Sequence, residues 1–206
     1  MEVKQLDLDF AREQDKADPL AHFRERFHFP VADSGEPFIY FCGNSLGLQP
    51  DTAGQYIKEE LDTWKKLGVD GHLKGKHPWL PYHELLTQYT AEIAGAMEKE
   101  VVVMNSLTVN LHLLMTSFYR PKGKRKKILI ENNAFPSDRY AVQSQLKIHG
   151  CHPVDDLIIL NPNQGETITT GWILDCFEHH GNEIAMVLIG GVNYYTGQSF
   201  DMEAIT

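Results

Sequence analysis

A change of pattern near residue 100 constrains the fold of this chain more than any other feature of its sequence. From there on, short apolar runs alternate with segments of helical periodicity. We predict strands over residues 101–104, 128–131, 157–160 and 184–189, and helices between them over 106–118, 136–149 and 172–179. Residues 200–206 have the pattern of a further helix, after which another strand is expected. Such alternation is typical of an α/β fold with a mostly parallel sheet flanked by helices.

The residues before this change predict helices and loops rather than alternating elements. A first helix is expected over 9–27 and a third over about 84–97. The second helix begins at Asp51 or Thr52, either of which can cap it, and stops at Gly68. The apolar residues expected to pack lie at helical spacing: Ile57, Leu61 and Trp64 on the second helix, and Leu85, Tyr89 and Ile93 on the third.

Composition excludes several classes of protein. Of the 206 residues, 42% are hydrophobic and 23% are charged, which is ordinary for a globular domain and argues against a disordered chain. The formal net charge of -9 argues against a general nucleic-acid binder, which needs clustered Lys and Arg. We interpret the one basic run, residues 122–127, as a solvated loop, with a localisation signal or an anion patch as alternatives.

The cysteines and the N-terminal residues bear on the compartment. Cys42, Cys151 and Cys176 are an odd number at wide spacing and form no CxxC motif, which favours free thiols in a reducing compartment. The first residues contain no apolar signal region, and no segment approaches the length of a membrane span. We therefore expect a cytoplasmic protein.

The strongest local candidate for a site is the turn between the first predicted strand and its helix. Backbone N–H groups around Leu107 and Thr108 are free at the helix N-terminus, with a hydroxyl beside them, and the helix dipole favours an anion there. The pattern therefore predicts a phosphate-binding turn. The alternative is that Asn105 or Ser106 is only a helix cap.

The next strand-to-helix turn repeats this geometry. Pro136 suits the first helical turn and Asp138 suits the positive end of the dipole, so neither requires a function. Phe135 would stand at the carboxyl edge of the sheet, where open α/β folds bind ligands, and could stack on a flat heterocycle. Packing in the core is the alternative for an isolated Phe.

Three further candidates are weaker. The loop over 43–47 holds two glycines around Asn44 and Ser45, which could aim polar groups at a ligand, although a plain turn fits equally well. The ten histidines show no HExxH motif, so metal binding is not favoured. No GxSxG motif appears, so a serine hydrolase is poorly supported.

Several runs, taken together, closely resemble the kynureninase family. They are FCGNSLGLQP at residues 41–50, LTVNLH at 107–112 and FPSD at 135–138, with Gly71-His72 ahead of Pro78-Trp79 and YTGQ at 195–198 adding to the match. The similarity extends from about residue 20 to the end in the family's order. It is therefore more specific than any single motif.

The resemblance implies a pyridoxal 5'-phosphate enzyme of fold type I. Its large domain would be a three-layer α/β sandwich, here incomplete, preceded by an N-terminal helical segment. The implied reaction is hydrolysis of L-kynurenine, or its 3-hydroxy form, to an anthranilate and L-alanine in tryptophan catabolism and NAD biosynthesis. The implied domains are residues 1–50, holding the N-terminal helix and an active-site loop, and residues 51–206, the first part of the cofactor-binding domain.

Site residues carry over from the resemblance position by position. The implied cofactor-binding residues are Leu107, Thr108, Phe135, Pro136, Ser137 and Asp138. Leu107 and Thr108 would bind the phosphate, and the run from Phe135 to Asp138 would surround the ring. Ser45 and His72 would lie near the substrate, contributed across the interface of a homodimer.

Two departures from the family's pattern qualify this assignment. Where the family can place a Ser after the last predicted strand, this chain has Gly190, so one polar cofactor contact is expected to be absent. The family's Schiff-base Lys, the acid that pairs with the pyridine nitrogen and the Arg that holds the substrate carboxylate are all expected beyond Thr206. No catalytic residue is therefore assigned within the chain, and we expect the chain by itself to be inactive.

Two alternatives remain at this level. One is a related lyase of the same fold, such as a cysteine desulfurase, although the loop over 43–50 and the run over 107–112 favour kynureninase. The other is a naturally occurring short polypeptide that catalyses nothing and binds a partner subunit through the dimer interface. An unfinished core and an exposed sheet edge would favour such association.

Overall fold

The computed structural model describes residues 7–206, which divide into two compact units. The first unit ends at Gln88, and the second runs from Tyr89 to Thr206. No helix within residues 7–206 is both long and apolar enough to cross a membrane.

The first unit begins with helix α1, Leu8–Ala17, whose N-cap Asp7 accepts a hydrogen bond from the Phe10 N–H at 2.8 Å. A 3-10 helix, Ala21–Arg26, follows. The predicted helix over 9–27 is therefore wrong beyond Ala17. Pro19 disfavours the helical conformation of the residue before it, and Asp18 is extended, with φ -69° and ψ 114°.

Two short strands and a long helix complete most of this unit. Strand β1, Phe27–His28, pairs antiparallel with β2, Gln49–Pro50, and the sequence did not indicate either strand. Helix α2, Ala53–Leu67, ends at Gly68, whose positive φ of 54° requires glycine, and these bounds confirm the prediction. Its predicted packing face is wrong within the described structure, because Ile57, Leu61 and Trp64 are all exposed.

Short helices continue to the start of the sheet. They are the 3-10 helices Gly68–His72, Tyr82–Glu84 and Glu98–Glu100, and the α-helix α3, Thr87–Ala94. The predicted third helix is thus shorter than 84–97 and is flanked by turns. Tyr89 and Ile93, which were expected to pack, are exposed.

The second unit is built on a three-stranded parallel sheet. Strands β3, Lys127–Glu131, β4, Leu157–Leu160, and β5, Ile184–Leu188, are hydrogen-bonded in the order β4-β3-β5. The helices are α4, Leu107–Phe118, α5, Pro136–Ile148, α6, Thr170–His180, and α7, Met202–Ile205. The bounds of the predicted strands from 128 onward and of the helices from 106 onward are confirmed to within about two residues.

Helices cover both faces of this sheet. Successive side chains along β3 point to opposite faces and therefore pack in two separate buried clusters. Ile128 and Ile130 pack with residues of α4 and α5, such as Met115 and Leu146. Leu129 packs on the other face with Ile173 of α6. The second unit therefore has an α/β architecture in which the sheet lies between two layers of helices.

The predicted strand over 101–104 is wrong, since no residue in that segment joins a ladder within the described structure. Val101 is extended, with φ -118° and ψ 134°. An extended segment becomes a strand only when a neighbour supplies hydrogen bonds, and none of the described strands runs beside this one. The sequence pattern thus agrees with the extended backbone of Val101 but did not predict the absence of pairing.

Candidate functional site

The N-terminus of α4 is free of side-chain capping. Its N-cap Ser106 is extended, with φ -69° and ψ 159°, and makes no capping hydrogen bond. The first backbone bond of the helix runs from the Asn110 N–H to the Ser106 carbonyl oxygen at 3.0 Å. Within residues 7–206, the N–H groups of Leu107 and Thr108 therefore have no acceptor, and neither do the hydroxyls of Ser106 and Thr108. Ser106 is thus the N-cap residue, one of the two that the alternative named, but its side chain does not cap the helix.

Asn110 lies one turn further along α4. Its Nδ2 donates to the Asn105 carbonyl oxygen at 3.2 Å, which closes the turn that leads into the helix. Its Oδ1 is buried and has no hydrogen-bond partner among the described residues. A buried acceptor without a donor costs about 1–3 kcal/mol. The first turn of α4 thus holds both free donors and one unsatisfied acceptor.

The turn between β3 and α5 holds four of the predicted site residues in sequence. Phe135 is the N-cap of α5, Pro136 occupies the first turn, and Asp138 adds a negative charge at the positive end of the helix dipole. The Ser137 hydroxyl lies 3.3 Å from Asp138 Oδ1 and donates to it. Asn133, with a positive φ of 56°, redirects the chain between the strand and the helix.

Phe135 is not a core residue. Its side chain is 50% exposed, and its ring meets the ring of Tyr194 edge to face, with centroids 5.1 Å apart and an interplanar angle of 73°. Such aromatic pairs are worth about 0.5–1.5 kcal/mol beyond the area they bury. The contact therefore fixes the ring of Phe135 while one part of it stays accessible.

Tyr194 belongs to a loop after β5 that sequence reasoning did not connect with the site. The signal was partly present, since Tyr194 directly precedes the YTGQ run at residues 195–198. Nothing in the sequence, however, relates Tyr194 to Phe135, which lies almost sixty positions earlier. The contact arises because β3 and β5 are parallel neighbours, so that the loops after their carboxyl ends meet at one edge of the sheet.

Glu131 ends β3 at the same edge and is 7% exposed. Burial raises the pKa of its carboxyl group, while hydrogen bonds from the N–H groups of Glu131 and Gly190 act in the opposite direction. Nearby Asp138 adds to the upward shift. A cleft of about 510 Å³ opens beside this carboxyl group, with Arg139 and Tyr194 among its lining residues.

We expect Glu131→Gln to stabilise the protein relative to the wild type at neutral pH but not at low pH. Because the folded pKa of Glu131 is raised above its unfolded value, the wild type loses stability as pH rises from the unfolded pKa through the folded one. Glutamine has the same shape and does not titrate. Urea unfolding of both proteins between pH 4 and 8 measures the difference, and a difference that does not grow with pH would contradict the prediction.

Gly190 is the residue at which the resemblance leads us to expect a missing polar contact. A Cβ atom at this position would lie 3.1 Å from the Val192 carbonyl oxygen and 3.7 Å from Glu131 Oε1. The first distance is shorter than ordinary van der Waals contact, so a side chain here would require the loop after β5 to move slightly. Glycine at position 190 therefore allows the Val192 carbonyl group to lie close to the backbone of residue 190.

The other two predicted site residues, Ser45 and His72, lie in the first unit. Ser45 sits in a turn and donates its N–H to the Cys42 carbonyl oxygen at 2.9 Å. The ring of His72 meets the ring of Trp79 edge to face at 5.3 Å. A Cβ atom at Gly71 would come within 2.6 Å of the Trp79 ring, so glycine is required beside His72. The structure holds His72 and Trp79 together but does not bring Ser45 to them.

Metal ligands and thiols add no further cluster. Cys42, Cys151 and Cys176 are free thiols. In the part of the chain that the structure describes, no group of three His, Cys, Asp or Glu side chains could hold a metal ion.

The fold and the site define a class: an α/β protein with a parallel sheet and a helix N-terminus without a side-chain cap, a feature that other α/β proteins use to bind phosphate groups. The chain is 56% identical to the kynureninase of Koribacter versatilis over 199 residues, 47% identical to that of Nematostella vectensis over 220, and 46% identical to that of Homo sapiens over 204. These matches cover 96%, 100% and 93% of the chain. Over nearly its whole length the chain is therefore similar to these kynureninases.

The coverage of the relatives themselves is smaller. The chain spans about half the length of the curated relatives it matches, namely 47%, 47% and 44% of the three. No family model matches the chain.

Proposed function

We propose that the protein containing this chain hydrolyses L-kynurenine or 3-hydroxy-L-kynurenine to an anthranilate and L-alanine, with pyridoxal 5'-phosphate as cofactor. The observation that carries the proposal is the uncapped N-terminus of α4 in a chain that is similar to kynureninases. There, the donors of Leu107 and Thr108 point to one kind of ligand, an anion with several acceptor oxygens. A phosphate group has this chemistry.

The residues present fit the cofactor. Neutral donors at a helix N-terminus suit a phosphate dianion because the dipole stabilises the charge without a counter-ion. Phe135 offers a half-exposed aromatic ring in the same unit, which suits a flat pyridine ring. When bound, pyridoxal phosphate supplies an electron sink for the reacting bonds of an amino acid.

The roles of this chain's own residues follow from their positions. Leu107 and Thr108 hold the phosphate through N–H groups and a hydroxyl. Phe135 orients the ring, and Pro136 preorganises the turn that carries it, because its fixed φ suits the first position of α5. Ser137 and Asp138 complete the wall around the ring. The Ser137 hydroxyl donates to the Asp138 carboxylate, which leaves the lone pairs of its oxygen available to accept a hydrogen bond.

The remaining assignments extend the same proposal. Ser45 and His72 lie near the substrate and are contributed across the interface of a homodimer. The fold is the fold-type I large domain, with residues 1–50 as the N-terminal helix and active-site loop and residues 51–206 as the first part of the cofactor-binding domain. The order β4-β3-β5 of the parallel sheet supports this architecture. The compartment is the cytoplasm.

The test is a set of reactions with the full-length gene product. Incubated with pyridoxal phosphate and L-kynurenine, it should release anthranilate, which is followed by its fluorescence. L-cysteine serves as the second substrate, because a cysteine desulfurase would release alanine from it and keep the sulfur atom as a persulfide on an enzyme thiol. The fluorescence assay is also run with 3-hydroxy-L-kynurenine, which should release 3-hydroxyanthranilate. Release of neither anthranilate nor 3-hydroxyanthranilate would contradict the proposal, and alanine formation from cysteine alone would support the related lyase instead.

A further inference from the structure

The loop after β5 is organised around one buried side chain, that of Asn193, which is 4% exposed. Its Oδ1 accepts hydrogen bonds from the N–H groups of Tyr195 and Thr196, each at 3.0 Å, and from the Thr196 hydroxyl at 3.3 Å. Its backbone also bonds across the turn, with the Asn193 N–H donating to the Gln198 carbonyl oxygen at 2.8 Å. The carboxamide oxygen thus defines the shape of the turn.

The other half of the same carboxamide reaches a second loop. Asn193 Nδ2 donates to the carbonyl oxygen of Asn132 at 3.3 Å, directly after the end of β3. A single side chain therefore ties the loop after β5 to the turn that carries Phe135. A buried amide whose donor and acceptor are both used is costly to replace, since any group left unpaired loses about 1–3 kcal/mol.

Gln198 anchors the far side of the loop. Its Oε1 accepts from the Ile168 N–H at 3.0 Å, and its Nε2 donates to the Ile168 carbonyl oxygen at 2.6 Å. Asn193 on one side and Gln198 on the other thus reinforce a loop whose two ends are joined by an isolated antiparallel bridge between Val192 and Ser199. Tyr194 follows Asn193 directly, so its direction is set by that side chain.

We propose that Asn193 is a positioning residue for cofactor binding, acting through Tyr194 to hold the ring of Phe135. The inference rests on the proposed function and adds two residues to its site. Phe135 stands at the N-cap of α5 and is half exposed, so packing alone leaves its ring free to turn. The edge of Tyr194 removes that freedom before the cofactor arrives, and preorganisation of this kind increases affinity by lowering the entropy lost on binding.

The experiment is a double-mutant cycle in the full-length gene product. The dissociation constant of pyridoxal phosphate is measured by fluorescence titration for the wild type, Tyr194→Leu, Phe135→Ala and the double variant. Tyr194→Leu should raise the dissociation constant about 2- to 10-fold, the range expected for one aromatic pair. In the double variant the effects should not add, because Tyr194 acts only through Phe135.

Three further variants separate positioning from a general structural role. Tyr194→Phe keeps the ring and should bind pyridoxal phosphate as tightly as the wild type does. If the Tyr194 hydroxyl were the important group, this variant would bind as weakly as Tyr194→Leu. Tyr195→Leu is the matched control in the same loop: the Tyr195 side chain is mostly exposed, and the substitution removes a ring that lies 6.4 Å from that of Tyr194 while leaving the pair of Tyr194 and Phe135 in place. Asn193→Asp loses the donor to Asn132 and should resemble Tyr194→Leu, again without adding to Phe135→Ala.

The visible circular dichroism of the bound cofactor provides a readout independent of activity. Tyr194→Leu and Asn193→Asp should weaken this band at saturating cofactor, and Tyr195→Leu should not. Additive effects of Tyr194→Leu and Phe135→Ala, or an unchanged band, would overturn the inference while leaving the proposed function intact. A wild type that does not bind pyridoxal phosphate at all would overturn both.

Discussion

Replacing Thr108 with aspartate should abolish tight binding of pyridoxal phosphate while leaving the protein folded. An added carboxylate at the second position of α4 interacts favourably with the helix dipole, so we expect an unchanged or slightly higher free energy of unfolding, by about 0.3–1 kcal/mol. The same charge would face the cofactor phosphate. Two like charges about 4 Å apart repel by about 4 kcal/mol at an effective dielectric of 20, on the order of a thousandfold in affinity.

The matched control is Thr116→Asp, which makes the same change of charge eight residues further along the same helix. Thr116 is exposed, and eight residues of helix span about 12 Å, beyond the screening length of about 8 Å at physiological salt. Cofactor affinity should be unchanged in this variant. We expect little change in stability, because the unfavourable interaction with the helix dipole is offset by Arg120, whose guanidinium group already bonds to the Thr116 carbonyl oxygen. Titration of both variants at fixed ionic strength makes the comparison. Equal affinities for Thr108→Asp and the wild type would show that the phosphate does not bind at this turn.

Truncating Ile128 to alanine should be the most damaging single change to the sheet. Ile128 is 0% exposed, lies in the central strand β3, and pairs with Leu157 of β4 and Met186 of β5. Large-to-small changes at such positions cost about 2–5 kcal/mol because they lose buried apolar area and leave a cavity. Whole domains are stable by only about 5–15 kcal/mol, so this variant should be near the limit of folding.

Ile148→Ala provides the control of identical chemistry. Ile148 is the last residue of α5 and is 71% exposed, so its truncation should change the free energy of unfolding by no more than about 0.5 kcal/mol. Urea denaturation followed by circular dichroism measures both variants. If the two changed stability equally, β3 would not lie at the centre of the core.

The α/β part of the chain was predictable because its signals are local. The apolar run that forms β3 and the Pro that begins α5 each lie within a few residues of the element they specify. The long helix expected over 9–27 failed although the signal against it was present, in Pro19. The strand expected over 101–104 failed for a different reason, since pairing depends on a neighbour that no local pattern identifies.

The candidate site was likewise predictable only in part from the sequence. The free donors of Leu107 and Thr108 follow from where α4 begins, which the sequence indicates. The environment of Phe135 does not, because Tyr194 and Asn193 reach it only through the parallel pairing of β3 with β5. Glu131 likewise appears in the sequence as the end of a strand, and only burial in the fold raises the pKa of its carboxyl group.

The sequence by itself therefore determined the resemblance to kynureninases, the alternating elements and the place where α4 begins with free N–H donors. Each of these is encoded in residues that are neighbours along the chain, through propensity, capping and turn chemistry. The tertiary structure alone decided the strand order, the exposure of Phe135 and the link through Asn193. These depend on contacts between residues about sixty positions apart, which form only when the sheet brings the carboxyl ends of its strands to one edge.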